Sequence, residues 1–209
     1  ASQALICQSL ATAFPDDPIV AEESAAALRH PDQADMLAQV THYAGYWLPG
    51  VAPADICDWI DHGGAKPAGR FWTLDPIDGT TNFVRGVPVW GSLIALVHNN
   101  VPVLGLVSAP ALGMRWWASV GDGAHFNGNR IHVSTVDQLS QSHVSTTPNN
   151  GWERVGGLPV LQQLQVDAQR SRGFGDFWQH MLVAQGAIDI AIDAIGLAPY
   201  DNAAIYPIV

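Results

Sequence analysis

Residues 71–83 read FWTLDPIDGTTNF, and this run constrains the chain more than any other. An apolar stretch of strand character, Phe71–Leu74, ends at Asp75. Pro76 holds the residue before it in extended geometry and has no N–H to donate, so the stretch ends in a bend. Asp78 follows two residues after the proline, and Gly79 opens a helical turn. Two carboxylates three apart on a bend can converge on one point, with the Ile77 carbonyl between them as a neutral oxygen ligand. Gly79-Thr80-Thr81 then offers backbone N–H groups at a helix N-terminus, which suits a phosphate, and Thr80 adds a hydroxyl. Carboxylates that gather metal ions beside a phosphate cradle make a phosphoryl-transfer site. The same residues also suit an ordinary turn, with Asp as a cap and Gly for backbone freedom.

The acids are unevenly chosen. Of 19 acidic residues 16 are Asp and three are Glu, and two of those Glu are adjacent at 22 and 23. Asp is a turn and cap residue, but it is also a hard oxygen ligand of the kind Mg²⁺ takes. With nine basic residues and a formal charge of −10, the chain lacks the basic face of a nucleic-acid binder. An apolar content of 48% with 13% charged residues excludes disorder. No apolar run reaches the roughly 18–20 residues of a membrane span, and no signal-peptide pattern opens the chain. Cys7 and Cys57 make no disulfide framework and no CxxC pair, which points to a reducing compartment, the cytoplasm.

Hydrophobic spacing predicts a helix over 2–13, stopped by Phe14-Pro15-Asp16-Asp17-Pro18, and a short buried strand at Ile19-Val20-Ala21 that delivers Glu22-Glu23. A second helix is predicted over 34–47, with Met36, Leu37, Val40, Tyr43, Ala44 and Trp47 at helical spacing. A third opens at Pro53 with Ile56, Cys57 and Ile60 inward, and 62–70 is a loop. Strands follow at 92–97 and 101–107 around a His98-Asn99-Asn100 hairpin turn, then at 115–119, and at 131–133 after an Asn127-Gly128 turn. The second half alternates: strand 143–147, helix 158–165, strand 168–173, helix 176–185, strand 187–193 and a helix from about 202. Antiparallel runs with interleaved helices predict a mixed α/β (α+β) layered fold, and no composition break divides it.

The string DPIDGTTNF resembles the signature of the inositol monophosphatase family, a group of Mg²⁺-dependent, lithium-sensitive phosphomonoesterases. Two further segments agree in order. Ile19-Val20-Ala21-Glu22-Glu23-Ser24 is similar to the family's strand ending in Glu-Glu, with Ala21 where Gly is usual. Ala198-Pro199-Tyr200-Asp201-Asn202-Ala203-Ala204 is similar to its WDxAA segment, with Tyr200 in place of Trp. By themselves the Glu pair also suits a solvated helix start, and Asp201 an N-cap. The resemblance implies an αβαβα sandwich over a single domain, 1–209. It implies two or three Mg²⁺ ions held by Glu22, Asp75, the Ile77 carbonyl, Asp78 and Asp201, with Glu23 a carboxylate behind them. Glu22 and Thr80 would orient a water acidified by one metal for in-line attack, and a second metal would stabilise the leaving alkoxide. Gly79 and Thr80 would hold the phosphate.

The segments FVRGVPVW (83–90), VSAPALGMRWWA (107–118), RGFGDFWQHMLVA (172–184) and AIDIAID (187–193) resemble the histidinol-phosphate phosphatase branch of that family. There Asp176 and Asp193 would meet a cationic amine or imidazole, and Arg85 would contact substrate or brace its loop. Asp176 also suits an N-cap and Asp193 a solvated strand end. The 47 residues between Glu23 and Phe71 instead resemble the 3′(2′),5′-bisphosphate nucleotidase branch, and inositol 1-phosphate is a third candidate. The eight His show no HxxxH or HxH pair and read mainly as turn or surface residues. Against the family pattern the chain lacks an N-terminal helix pair with its acidic motif and a C-terminal strand and helix. Truncation at both ends is therefore expected. A homodimer would cover the apolar surface so exposed, and a catalytically incomplete, non-enzymatic binding or scaffold form of the fold is the alternative to an active phosphatase.

Overall fold

The structure is a computed structural model, and it describes residues 2–26, 28–46, 48–60 and 69–209. Trp47 and most of the expected 62–70 loop lie outside those residues. The layered expectation holds. A seven-stranded sheet runs in simple sequence order from β1 to β7. Its strands are β1 (Ile19–Ala21), β2 (Arg70–Asp78), β3 (Gly91–His98), β4 (Val101–Ala109), β5 (Met114–Ser119), β6 (Gly123–Phe126) and β7 (Asn129–Ile131). Only β1 pairs in parallel, with β2; the rest is an antiparallel meander. Its turns use the residues that tolerate positive φ: Asn99 (51°) and Asn100 (65°), then Asn127 (45°) and Gly128 (88°). A second sheet of β8 (His143–Thr146), β9 (Arg170–Arg172) and β10 (Ile190–Ile192) is parallel, with β8 central.

The two faces of the large sheet bury alternate residues of β2. Trp72 and Leu74 pack with Cys7 and Ile19 against α1 (Ser2–Ala13), and Phe71 enters the core on the opposite face. Burying side chains of this size stabilises the fold by roughly 1.5–3 kcal/mol each. The outer helical layer comprises α1, α2 (Ala34–Gly45) and α3 (Pro53–Ile60), with Ile56, Cys57 and Ile60 inward as expected. In α2 the inward row is Leu37, Val40 and Ala44, whereas Met36 and Tyr43 are 51% and 61% exposed. Those two positions stand off the narrow stripe that α1 and α3 can cover. Between the sheets lie α7 (Asp176–Ala184), α8 (Pro199–Asn202) and α9 (Ile205–Ile208); α5 (Asn150–Arg154) and α6 (Leu158–Asp167) belong to the second half, with α6 against β9. Trp116 is fully buried while its neighbour Trp117 is partly exposed, as alternation along a strand requires.

The middle helices sit close to the sheet because of one glycine. A Cβ at Gly105 of β4 would lie 2.1 Å from the Ala204 carbonyl oxygen. The backbone between α8 and α9 therefore rests directly on β4, and this contact anchors the arm that carries Asp201.

Candidate metal and phosphate site

A slip in strand pairing builds the site. Asp75 pairs with Leu93 and Asp78 with Gly91, so β2 carries one residue more than β3 between these points. In a regular strand residues three apart face opposite ways; the extra residue returns Asp78 to the side of Asp75. Pro76 occupies the slip, where a ladder N–H is dispensable. The bend is held by Ile77 N–H donating to Asp75 Oδ1 at 2.9 Å and Ser92 Oγ–H donating to the Pro76 carbonyl at 2.8 Å. The strand thus runs three residues beyond Asp75, the end expected from its apolar pattern, since backbone pairing continues through the carboxylates.

Asp201 arrives from α8. It is the third residue of that helix and not the cap, and its Oδ2 accepts from the Ala198 N–H at 2.6 Å. The helix begins at Pro199, three residues before the expected start, because proline fits the first helical position. One carboxylate oxygen from each of Asp75, Asp78 and Asp201 lies within 4.8 Å of the other two. Glu22 follows β1, its N–H donates to the Leu74 carbonyl at 3.1 Å, and its carboxyl group stands beside that of Asp75. The neighbouring Glu23 is fixed through its backbone. The buried Gln3 amide donates to the Glu23 carbonyl (2.8 Å), accepts from its N–H (3.0 Å) and donates to the Ile60 carbonyl (2.9 Å).

Electrostatically the cluster is unbalanced. Burial, then the adjoining Glu22 carboxyl and the Asp78 charge, push the Asp75 carboxyl well up. Burial first, then the charges of Asp176, Asp201 and Asp193, push Asp78 up to about 7 against the opposing Phe177 hydrogen bond. Glu22 and Asp201 rise too, burial leading in both. Among the described residues no basic side chain pairs with Asp75, Asp78 or Asp201. An all-oxygen set of this charge, with Asp75 only 2% exposed, fits a hard divalent cation.

Gly79 turns the chain out of β2 into α4 (Thr80–Val84). Its φ is +78°, and a Cβ there would meet the Val89 carbonyl at 3.0 Å and Asp176 Oδ2 at 3.3 Å, so both conformation and space require glycine. The Thr80 hydroxyl donates to the Ile77 carbonyl at 2.9 Å, which joins two expected site groups to each other. A cavity of about 330 Å³ opens beside Ile77, Thr80 and Glu23. Arg85 is exposed at the C-terminal end of α4.

The first turn of α7 closes the other side. Phe177 N–H donates to Asp78 Oδ2 at 2.7 Å, and Asp176 Oδ2 accepts from Asn82 Nδ2 at 2.8 Å. Asp176 is thus a helix-opening residue whose cap position belongs to Gly175. Asp193 is partly buried, not a solvated strand end. Its Oδ1 accepts from Thr147 Oγ1 (2.8 Å) and the Ala194 N–H (2.7 Å), and its Oδ2 lies 2.9 Å from His180 Nε2. His180 is one of eight histidines without an HxxxH or HxH pair, and its side chain is only 16% exposed. The available signal was its position four residues after Asp176, on the same face of one helix.

Among known proteins, the family model described as "Inositol monophosphatase family" matches residues 1–209. A histidinol-phosphatase of Streptomyces coelicolor is 44% identical over 156 residues, 70% of this chain and 58% of the relative. A histidinol-phosphatase of Mycobacterium tuberculosis is 48% identical over 130 residues, 60% of this chain and 50% of the relative. The chain thus spans 50–58% of the length of these curated relatives. An IMPase structure from Thermotoga maritima superposes with a TM-score of 0.71 at 28% identity, covering 99% of this chain and 64% of that one.

Proposed function

The chain belongs to the inositol monophosphatase family, and from that premise we propose that it is a Mg²⁺-dependent phosphomonoesterase acting on histidinol phosphate. The observation that carries the reading is the convergence of Asp75, Asp78 and Asp201 within 4.8 Å around a buried, unbalanced point. Asp75, Asp78 and Asp201, with Glu22 and the Ile77 carbonyl, would hold the cations. Bound there, divalent cations supply Lewis acidity that acidifies a water and offsets charge on the leaving oxygen. Glu22, beside Asp75, would orient that water and take up its proton. Thr80, held on the Ile77 carbonyl, would join Glu22 in orienting it. The N–H groups at the start of α4, from Gly79 and Thr80, would hold the equatorial phosphate oxygens as charge develops on them. Asp176 and Asp193 add negative charge on the α7 side, which suits a leaving group bearing an amine and an imidazole. The histidinol-phosphatase names of the relatives at 44% and 48% identity favour that ester over inositol 1-phosphate.

In this reading residues 1–209 form one phosphatase domain. Its two unpaired buried cysteines suit the cytoplasm, and the exposed apolar residues of α2 suit a homodimer. No helix of the described residues is long and apolar enough to cross a membrane. The test is a ranking of kcat/KM for phosphate release with Mg²⁺ from histidinol phosphate, inositol 1-phosphate and 3′-phosphoadenosine 5′-phosphate. The reading expects the first to lead by at least tenfold. A lead by the bisphosphate would instead credit the helices α2 and α3, inserted between Glu23 and β2, with setting the substrate. Release from none of the three would leave a binding protein on this fold.

A further inference from the structure

We propose that His180 is a positioning residue that fixes Asp193 so that one acceptor site of its carboxylate remains for a single donor on the leaving group. The inference rests on the phosphatase reading above and extends it to specificity. A carboxylate has about four acceptor sites, two on each oxygen. On Asp193, Oδ1 is filled by the Thr147 hydroxyl at 2.8 Å and the Ala194 N–H at 2.7 Å. On Oδ2 one site is taken by His180 Nε2 at 2.9 Å. A carboxylate only accepts, so Nε2 is the nitrogen that carries the proton. One site on Oδ2 remains. Its direction is set by the imidazole, because the Oδ1 contacts alone leave the carboxylate free to tilt about them.

The imidazole is itself well held. His180 and Asp193 have side chains only 16% and 18% exposed. His180 sits on α7, whose first turn grips Asp78 through Phe177 and Asn82 of α4 through Asp176. One residue before His180, Gln179 donates to Thr147 Oγ1 at 3.2 Å and accepts from Ser145 Oγ at 2.7 Å. Ser145 in turn accepts from the Phe174 N–H at 3.0 Å, in the loop that leads into α7. One helix therefore orients an acid of the cation cluster with its first turn and both oxygens of Asp193 with its next. Burial pushes the Asp193 carboxyl up, but the hydrogen bonds from His180, Ala194 and Thr147 outweigh it and hold it below the usual range, so it stays ionised. Phe177, which holds Asp78, and His180, which holds Asp193, stand three residues apart on α7, so both acids lie on the side of the site that this helix closes.

The chemistry this recognises is an N–H of an ammonium or imidazolium group on the alcohol portion of the ester. An ester whose leaving group has no donor gains nothing from it. The experiment compares His180→Phe and His180→Gln with the wild type on histidinol phosphate and on p-nitrophenyl phosphate, with histidinol affinity measured by calorimetry in parallel. In His180→Phe, KM for histidinol phosphate and the histidinol dissociation constant should rise about tenfold. Its kcat, and both constants for p-nitrophenyl phosphate, should stay within about twofold. His180→Gln places an amide N–H near the Nε2 position and should restore KM to within about threefold. Should the Phe variant fail to fold, His180→Leu, which likewise removes the Nε2 contact to Oδ2, takes its place with the same expectation. The inference is overturned if KM and histidinol affinity do not change, if both esters lose equally, or if Gln rescues nothing. Absence of turnover of both esters by the wild type fails the phosphatase reading, and this inference with it.

Discussion

Replacing Asp78 with Asn separates the two effects of its carboxylate. In the metal-free protein the ionised group is a burden: its pKa stands at about 7 against an ordinary 3.8, because burial and the Asp176, Asp201 and Asp193 charges oppose ionisation. A raised carboxyl pKa means that the folded state binds the proton more tightly than the unfolded chain. Stability then falls as pH rises from about 4 to about 7 and is level above that, as far as this group is concerned. At 1.36 kcal/mol per pH unit, the gap corresponds to at most about 4 kcal/mol at pH 8 and about 1.6 kcal/mol at pH 5. Asn keeps an oxygen that can accept from the Phe177 N–H, which approaches to 2.7 Å in the wild type, and it removes the charge. Asp78→Asn should therefore stabilise the protein in EDTA at pH 8 by about 2–4 kcal/mol and by less at pH 5. At the same time it should lose at least a hundredfold in Mg²⁺-dependent turnover. Urea unfolding at both pH values and phosphate release read the two effects. A variant destabilised in EDTA at pH 8, or one active within a few-fold of wild type at saturating Mg²⁺, would refute the reasoning.

A divalent cation at a hundredfold excess over its dissociation constant should stabilise the wild type by about 2.7 kcal/mol, a rise of about 5–10 °C in Tm by scanning calorimetry. Asp201→Asn should show at most a small part of that rise. Gly105→Ala forces a methyl onto the Ala204 carbonyl; it should cost about 1–3 kcal/mol or more and weaken cation affinity through the Asp201 arm, and an unchanged Tm would contradict the packing argument. Gln3→Leu leaves the Glu23 and Ile60 carbonyls without their amide partner. It should cost about 1–3 kcal/mol for each carbonyl left buried and unpaired, read as a lower urea midpoint at unchanged slope.

Much of this was legible in the sequence where the signal is local. The turns at Asn99-Asn100 and Asn127-Gly128 need residues that accept positive φ, and those residues stand there. The convergence of Asp75 and Asp78 followed from a proline and an odd spacing, although the added residue that causes it shows only in the pairing with β3. Other features hid because the signal was ambiguous or distant. Helix α5 starts at Asn149-Asn150-Gly151, a string that reads as a turn, yet the Asn149 side chain caps it by accepting from the Gly151 N–H at 3.0 Å. Met36 and Tyr43 fit a helical period but stand outside the narrow strip that α1 and α3 cover. The His180–Asp193–Thr147 arrangement joins α7 and the end of β10 to Thr147, which lies 46 residues before Asp193. Nothing in the spacing of those residues announces it, and only folding brings them together.

The central claim is that the carboxylate cluster makes this chain a cation-dependent phosphatase. Its most direct measurement is inorganic phosphate released from histidinol phosphate at pH 8 with Mg²⁺, after stripping with EDTA, and after Mg²⁺ is restored. The account predicts release, its loss, and its full return. Release that persists in EDTA, or none at any stage from folded protein, would contradict it.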